Sequence, residues 1–261
     1  MRMYQVRAAK WYVEKKGNYM RQDGYTLDCW TERDYKSLMS FLRRNAEEGY
    51  RQFSEKLIPE SEPILGVKKP FLRMVGKQIS QGNWREYLTF CRNDTFEEIV
   101  LQGIVIGLAP VNFDELCTLC DAYIPLIKNW AACDFFCCGL KRVKKFRKGF
   151  LPKIQAYLIS ENPWERRVAL VLLRAHYMTE EYVEQLLVWA QESVCEHYYV
   201  QMAHAWLLAK CYTKYPEQTY QYLKDCCLGP EILNKAVQKI RDSYRVSEEW
   251  KEKATIFRRK L

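Results

Sequence analysis

The chain has 261 residues, 48% hydrophobic and 28% charged, which excludes wholesale disorder and sets a scale of one large domain or two small ones. Lysine and arginine outnumber aspartate and glutamate by 41 to 32, and the net charge of +9 favours a polyanionic partner such as nucleic acid, the plainer alternative being a merely basic surface. No stretch is long and apolar enough to span a membrane, and with 11 glycines and no phosphate-cradling loop a nucleotide-binding fold is not expected.

Taken in chain order, residues 1–33 stand apart. They are rich in Tyr, Lys and Arg, carry Gly17 and Gly24, and show no period, so they read as an N-terminal extension ahead of a single domain over 34–261. Arg2, Arg7, Lys10, Lys15 and Lys16 are spread through the start with no apolar run, so no secretory signal is expected. Met39 is an in-frame methionine just before the well-patterned part.

From there the pattern predicts helix after helix: 34–57, 67–80, 84–92, 95–107, 112–123, 127–143, 147–159, 164–176, 179–192, 196–213, 216–225, 230–243 and 247–259. Asn112, Thr179 and Ser247 are followed by acids, as at helix starts, while Pro163 and Pro230 suit first helical turns. Alternating β-branched segments are scarce, and no strand pair is expected.

Phe96, Trp130, Trp164, Tyr198 and Ile232 follow one another at intervals of 34, each near the start of an apolar run. Helix pairs repeating at this length indicate an all-α HEAT-like, ARM-type α-α superhelical solenoid, with these positions on the second helix of each pair. The length also suits tetratricopeptide repeats, but their Trp-Leu-Gly-Tyr and Ala-Phe-Pro pattern is missing. For most members of the aromatic column, core packing is the expected role.

Within the second repeat, Trp130 and Asp134 are four residues apart and share one helix face. An acid among Ile127, Cys133, Phe135, Phe136 and Cys137 is costly to bury without a partner or a task. Asp134 is therefore either a packing acid satisfied by a neighbour or a candidate active-site carboxylate.

The 11 cysteines are odd in number and fall mostly on apolar helix faces, as reduced core residues of a cytoplasmic protein would. Cys117 and Cys120 followed by Cys133 and Cys137 have the spacing of a four-thiolate zinc site, but both halves read as helix interior without a tight turn, so no metal is expected. His176, His197 and His204 have no spacing that points to a metal or a triad.

Three groups of cations stand out. Lys141, Arg142, Lys144, Lys145, Arg147 and Lys148 follow the acid-bearing run, Lys68, Lys69, Arg73 and Lys77 suit one helix face, and Arg166 and Arg167 form a third. Each group is either solvated surface or a set of phosphate contacts.

Tyr50-Arg-Gln-Phe-Ser-Glu-Lys-Leu-Ile-Pro59 and Ile64-Leu-Gly-Val-Lys-Lys-Pro-Phe-Leu-Arg73 resemble the N-terminal signature of the bacterial DNA alkylation repair family, the HEAT-like-repeat alkylpurine DNA glycosylases of the AlkD type. The resemblance continues through Trp130 and Asp134, Trp164-Glu165-Arg166-Arg167 and Ala205-Trp206-Leu207-Leu208, and covers roughly 40–245. It implies that Asp134 is the catalytic carboxylate, Trp130 and Trp206 the aromatic walls of a cleft, and Arg167 a contact to the DNA backbone. It further implies excision of cationic purines such as 3-methyladenine and 7-methylguanine from duplex DNA, without metal or other cofactor; separately, a monomer is expected. The first 35 or so residues match nothing in that family, and the YRQF…KLIP start is of a kind found in its divergent branches, some of which keep the acid without base excision.

The chemistry is consistent with one acid. Alkylation at N3 or N7 makes the purine a cationic leaving group that needs no protonation. Positive charge grows on the sugar as the bond breaks, and one carboxylate can stabilise it. Aromatic faces suit a cationic base. Two rival readings remain: a non-catalytic nucleic-acid binder on the same scaffold, and a protein-binding helical repeat.

Overall fold

The computed structural model describes residues 24–59 and 61–260. Of the expected extension, residues 1–23 lie outside the described residues. Among the described residues there are 14 α-helices and no strands, so the chain is an all-α protein of helix pairs. The described residues form two compact units, one ending at Leu140 and the other beginning at Lys141.

The first unit begins with residues 24–31, which lie against the ends of two helices. Tyr25 and Trp30 are buried, stacked at 6.3 Å between ring centroids, and Trp30 meets Tyr87 at 5.1 Å. The Leu27 carbonyl accepts from the Asn83 N–H at 2.7 Å, and Gly82 is needed there because a Cβ would come within 2.4 Å of the same oxygen. Helix α1 (Glu32–Arg44) opens on a reciprocal capping box between Thr31 and Asp34, so the expected boundary at residue 33 falls inside a helix.

The predicted run 34–57 is two helices, α1 and α2 (Glu48–Leu57). The break falls at Asn45, whose backbone N–H still bonds the Phe41 and Leu42 carbonyls, while the next turn diverts the Glu47 N–H to Gly66 at 3.0 Å. Helices α3 (Lys69–Ile79), α4 (Trp84–Phe90), α5 (Phe96–Leu108), α6 (Phe113–Tyr123) and α7 (Trp130–Gly139) complete the unit, with a short 3-10 turn at Ile124–Leu126. Helix α5 packs between α3 and α7. Its sequence is apolar nearly all round, and ten of its residues are buried, as an interior helix requires.

Two charged residues of α5 are also buried. Glu97 accepts the backbone N–H groups of Leu65, Gly66 and Val67 at 2.8, 2.7 and 2.9 Å. Glu98 accepts the Tyr35 hydroxyl and the N–H groups of Arg92 and Asp94, the last two at 2.6 and 2.9 Å. Each carboxylate fixes a loop to the interior helix and is satisfied in doing so. Gly66 sits at φ +96°, where a side chain is strained.

The second unit opens with a 3-10 turn at Lys141–Lys145, followed by α8 (Arg147–Leu158), α9 (Pro163–His176), α10 (Val183–Glu192), α11 (Tyr198–Lys214), α12 (Pro216–Asp225), α13 (Pro230–Arg241) and α14 (Glu248–Thr255). The row α9, α11, α13 packs side by side, with α8, α12 and α14 laid against it. The predicted run 127–143 thus ends at Gly139, and 179–192 begins only at Val183, because residues 179–182 form a turn in which the Tyr182 N–H bonds Thr179.

The period of 34 is structural. Phe96, Trp130, Trp164, Tyr198 and Ile232 lie in the first turns of α5, α7, α9, α11 and α13. Only Phe96 and Ile232 are buried, while Tyr198 is 57% exposed and the two tryptophans are half-buried. Core packing therefore accounts for part of the column and leaves Trp130, Trp164 and Tyr198 facing outward to differing degrees.

Candidate functional site

Helix α7 is fixed from both sides. Asn129 caps it, its side chain accepting from the Ala132 N–H at 2.9 Å. Ala131, Ala132, Cys133, Phe136 and Cys137 are buried, on the side that packs α5. The opposite face, at a spacing of four, carries Trp130, Asp134 and the exposed Cys138. Trp130 and Asp134 are half-buried, and the indole N–H of Trp130 donates to the Leu57 carbonyl at the end of α2, 3.0 Å away. That bond spends the polar edge of the ring on the scaffold and holds its plane.

Helix α3 brings cations to the same face. The Lys69 ammonium lies 4.3 Å from the centroid of the Phe135 ring, and the Arg73 guanidinium lies 5.9 Å from it. The amine of Lys69 is held below the usual lysine range, first by loss of water over that ring and then by Arg73, with Asp134 acting the other way. Asp134 and Lys69 are thus near enough to feel one another's charge. Lys68 instead forms an ion pair with Glu47 at 2.8 Å, and Lys77 is exposed at the far end of α3.

In the second unit, Trp206 lies midway along α11 and is 36% exposed. The Arg174 guanidinium stacks on it, 3.6 Å from the ring centroid. Both line a cleft of about 500 Å³ with Lys210, Lys239, Asp242, Tyr244 and Arg245. None of these cations was singled out in the sequence, although Lys210 follows Trp206 by one helical turn and so shares its face. The rest converge from α9, α13 and the turn after α13, which no local pattern reveals.

The expected backbone contacts divide. Arg167 is buried, with its guanidinium donating to the Tyr199 carbonyl at 2.5 Å. Arg166 donates to the Ser160 and Val194 carbonyls at 2.5 and 3.2 Å. Arg147 donates to the His176 carbonyl at 2.6 Å and receives, on its own carbonyl, the Tyr177 hydroxyl at 2.7 Å. These three arginines tie helices together. Lys141, Lys144, Lys145 and Lys148 are exposed, and Arg142 is half-buried.

Cys133 and Cys137 are buried one turn apart with sulfurs at 4.0 Å, and among the described residues no group of three His, Cys, Asp or Glu could hold a metal ion. Nor is any described helix long and apolar enough to cross a membrane. Trp130, Asp134, Lys68, Lys69 and Arg73 belong to the first unit, and Arg166, Arg167, Trp206 and the 141–148 cluster to the second.

A sequence model of the family described as DNA alkylation repair enzyme matches residues 38–242. No curated protein matches the chain.

Proposed function

Since the chain belongs to the DNA alkylation repair enzyme family, we propose that it is a DNA glycosylase that releases cationic alkylated purines, of the 3-methyladenine and 7-methylguanine type, from duplex DNA. The observation that carries this reading is the outward face of α7, where a half-buried carboxylate stands one turn from an indole whose plane is pinned by Leu57. A fixed carboxylate beside an aromatic face meets what the reaction needs. The alkylated base already carries its charge and leaves without a general acid. As the glycosidic bond breaks, the sugar becomes an oxocarbenium-like cation, and Asp134 stabilises it and can position the attacking water. The usual pair of carboxylates in glycoside hydrolysis is not required, because the leaving group needs no proton.

Trp130 lends its ring face to the electron-poor sugar or base. Lys69 and Arg73 beside it hold phosphates, with Lys68 as a further contact when its ion pair with Glu47 opens. On the second unit, Trp206 is a further aromatic contact, and the exposed lysines among 141–148, with Arg142, bind the backbone. Arg166, Arg167 and Arg147 act by bracing that unit, since their guanidiniums are spent on main-chain carbonyls. No metal or other cofactor enters the mechanism.

Incubation with methylated duplex DNA, followed by quantitation of free bases, tests the reading. Release of 3-methyladenine and 7-methylguanine, without release of unmodified guanine, is the expected result. Salt-sensitive retention of DNA with no base release would instead make the protein a non-catalytic binder on the same scaffold.

A further inference from the structure

The cleft of the second unit holds chemistry that base excision leaves unused. Lys210 lies one turn after Trp206 on α11, and both line the cavity of about 500 Å³ together with Arg174, Lys239, Asp242 and Arg245. Four cations thus share one cleft with a single carboxylate. Their mutual repulsion is relieved if one of them gives up its proton, and arginine cannot. Of the two lysines, Lys239 is exposed and Lys210 is half-buried, so the loss of water falls on Lys210. Its amine is held below the usual lysine range, first by that burial and then by Arg245, Arg174 and Lys214. A lysine in such surroundings is a nucleophile toward carbonyl groups.

Release of a base leaves an abasic deoxyribose, whose ring opens to an aldehyde at C1′. We propose that Lys210 is the nucleophile of an abasic-site lyase housed in this cleft. The inference rests on the glycosylase reading only in that base excision would supply the aldehyde. The Lys210 amine bonds to C1′, and the carbinolamine loses water to give an iminium. The Asp242 carboxylate takes a proton from C2′. The electron pair released forms the C2′–C3′ double bond, and the C3′–O3′ bond breaks, with the phosphate keeping its electrons. Arg174, Lys239 and Arg245 meet the charge of the departing phosphate. Water then hydrolyses the conjugated imine, which frees the lysine and leaves an unsaturated aldehyde on the upstream strand. No oxidant, reductant or metal is consumed. Arg174 is held in the cleft by its stacking on Trp206.

The test uses a duplex whose abasic site is made beforehand, by removing uracil with a separate glycosylase, and adds borohydride to reduce any imine to a stable amine. Wild-type protein is expected to give a covalent protein–DNA adduct that is lost in Lys210→Arg, which keeps the charge. The adduct is expected to persist in Lys235→Arg, an exposed lysine of α13 that does not line the cleft. Mass spectrometry of the digested wild-type adduct should place the modification on Lys210, and this holds whether or not the variant folds. Absence of an adduct in the wild type overturns the proposal. So does modification of any other lysine, including Lys69, whose amine is also depressed. Because the abasic site is supplied ready-made, this outcome and that of base release are read separately.

Discussion

Asp134 owes its position to its neighbours in sequence more than to its own chemistry. Residues before and after it pack α7 onto α5, so position 134 turns outward together with Trp130. The pairing was legible because a spacing of four is a property of any helix. The cations facing it were legible only as a group, since the approach of Lys69 and Arg73 to Phe135 depends on how α3 meets α7. The residue scale also holds an imidazole whose spacing points to no metal or triad. His204 is fully buried on α11 without a hydrogen-bond partner for either ring nitrogen, and burial pushes it down to about 3. An unfolded chain protonates that histidine near 6.5, so between pH 6.5 and 3 the unfolded state binds the extra proton. Stability is therefore lost as pH falls through this window. The His204 contribution between pH 7 and 5 is about 2 kcal/mol, measurable as the difference in urea-unfolding free energy between wild type and His204→Leu at the two pH values. An equal pH dependence in both proteins would show that the imidazole charges freely in the fold.

At the scale of elements, most helix starts were readable because capping is local. Asn112 and Asn162 accept from the N–H groups of Glu115 and Trp164, both at 2.9 Å, and Pro163 and Pro230 stand in first turns. The misplaced boundaries have one tertiary and one local cause. The break between α1 and α2 depends on Gly66, which is distant in sequence, and the late start of α10 on the turn at Thr179. The acids that open α5 were the deeper omission. Glu97 and Glu98 look like ordinary first-turn acids, yet they serve loops that lie before the helix. Removing one should be severe. Glu97→Ala leaves the N–H groups of Leu65, Gly66 and Val67 without their acceptor, and unsatisfied buried groups cost about 1–3 kcal/mol each. A loss of at least about 3 kcal/mol in urea-unfolding free energy is expected; a loss below about 1 kcal/mol would mean that water replaces the carboxylate at little cost.

For the whole molecule, the interval of 34 residues made the repeat architecture visible before any coordinate, and the helix starts from α5 to α13 keep it. What the period could not show was which members of the aromatic column face outward, because that depends on the packing of each pair. Net charge, likewise, named a polyanionic partner without placing the contacts. Lys141, Lys144, Lys145, Lys148, Lys69 and Arg73 are exposed, and if each neutralises one phosphate, log Kobs should fall with log salt at a slope of about −5. Changing the four lysines between 141 and 148 to glutamine should reduce that slope by about 3–4. A slope unchanged by those substitutions would move the DNA contacts elsewhere.

The central claim is that Asp134 stabilises positive charge on the sugar as a damaged base departs. Single-turnover release of 7-methylguanine by wild type and by Asp134→Asn, at protein concentrations that saturate the DNA, measures it most directly. The substitution keeps size and removes charge, so the rate should fall at least about a hundredfold while DNA retention is kept. Equal rates in the two proteins would contradict the account and leave the carboxylate with a purely structural part in α7.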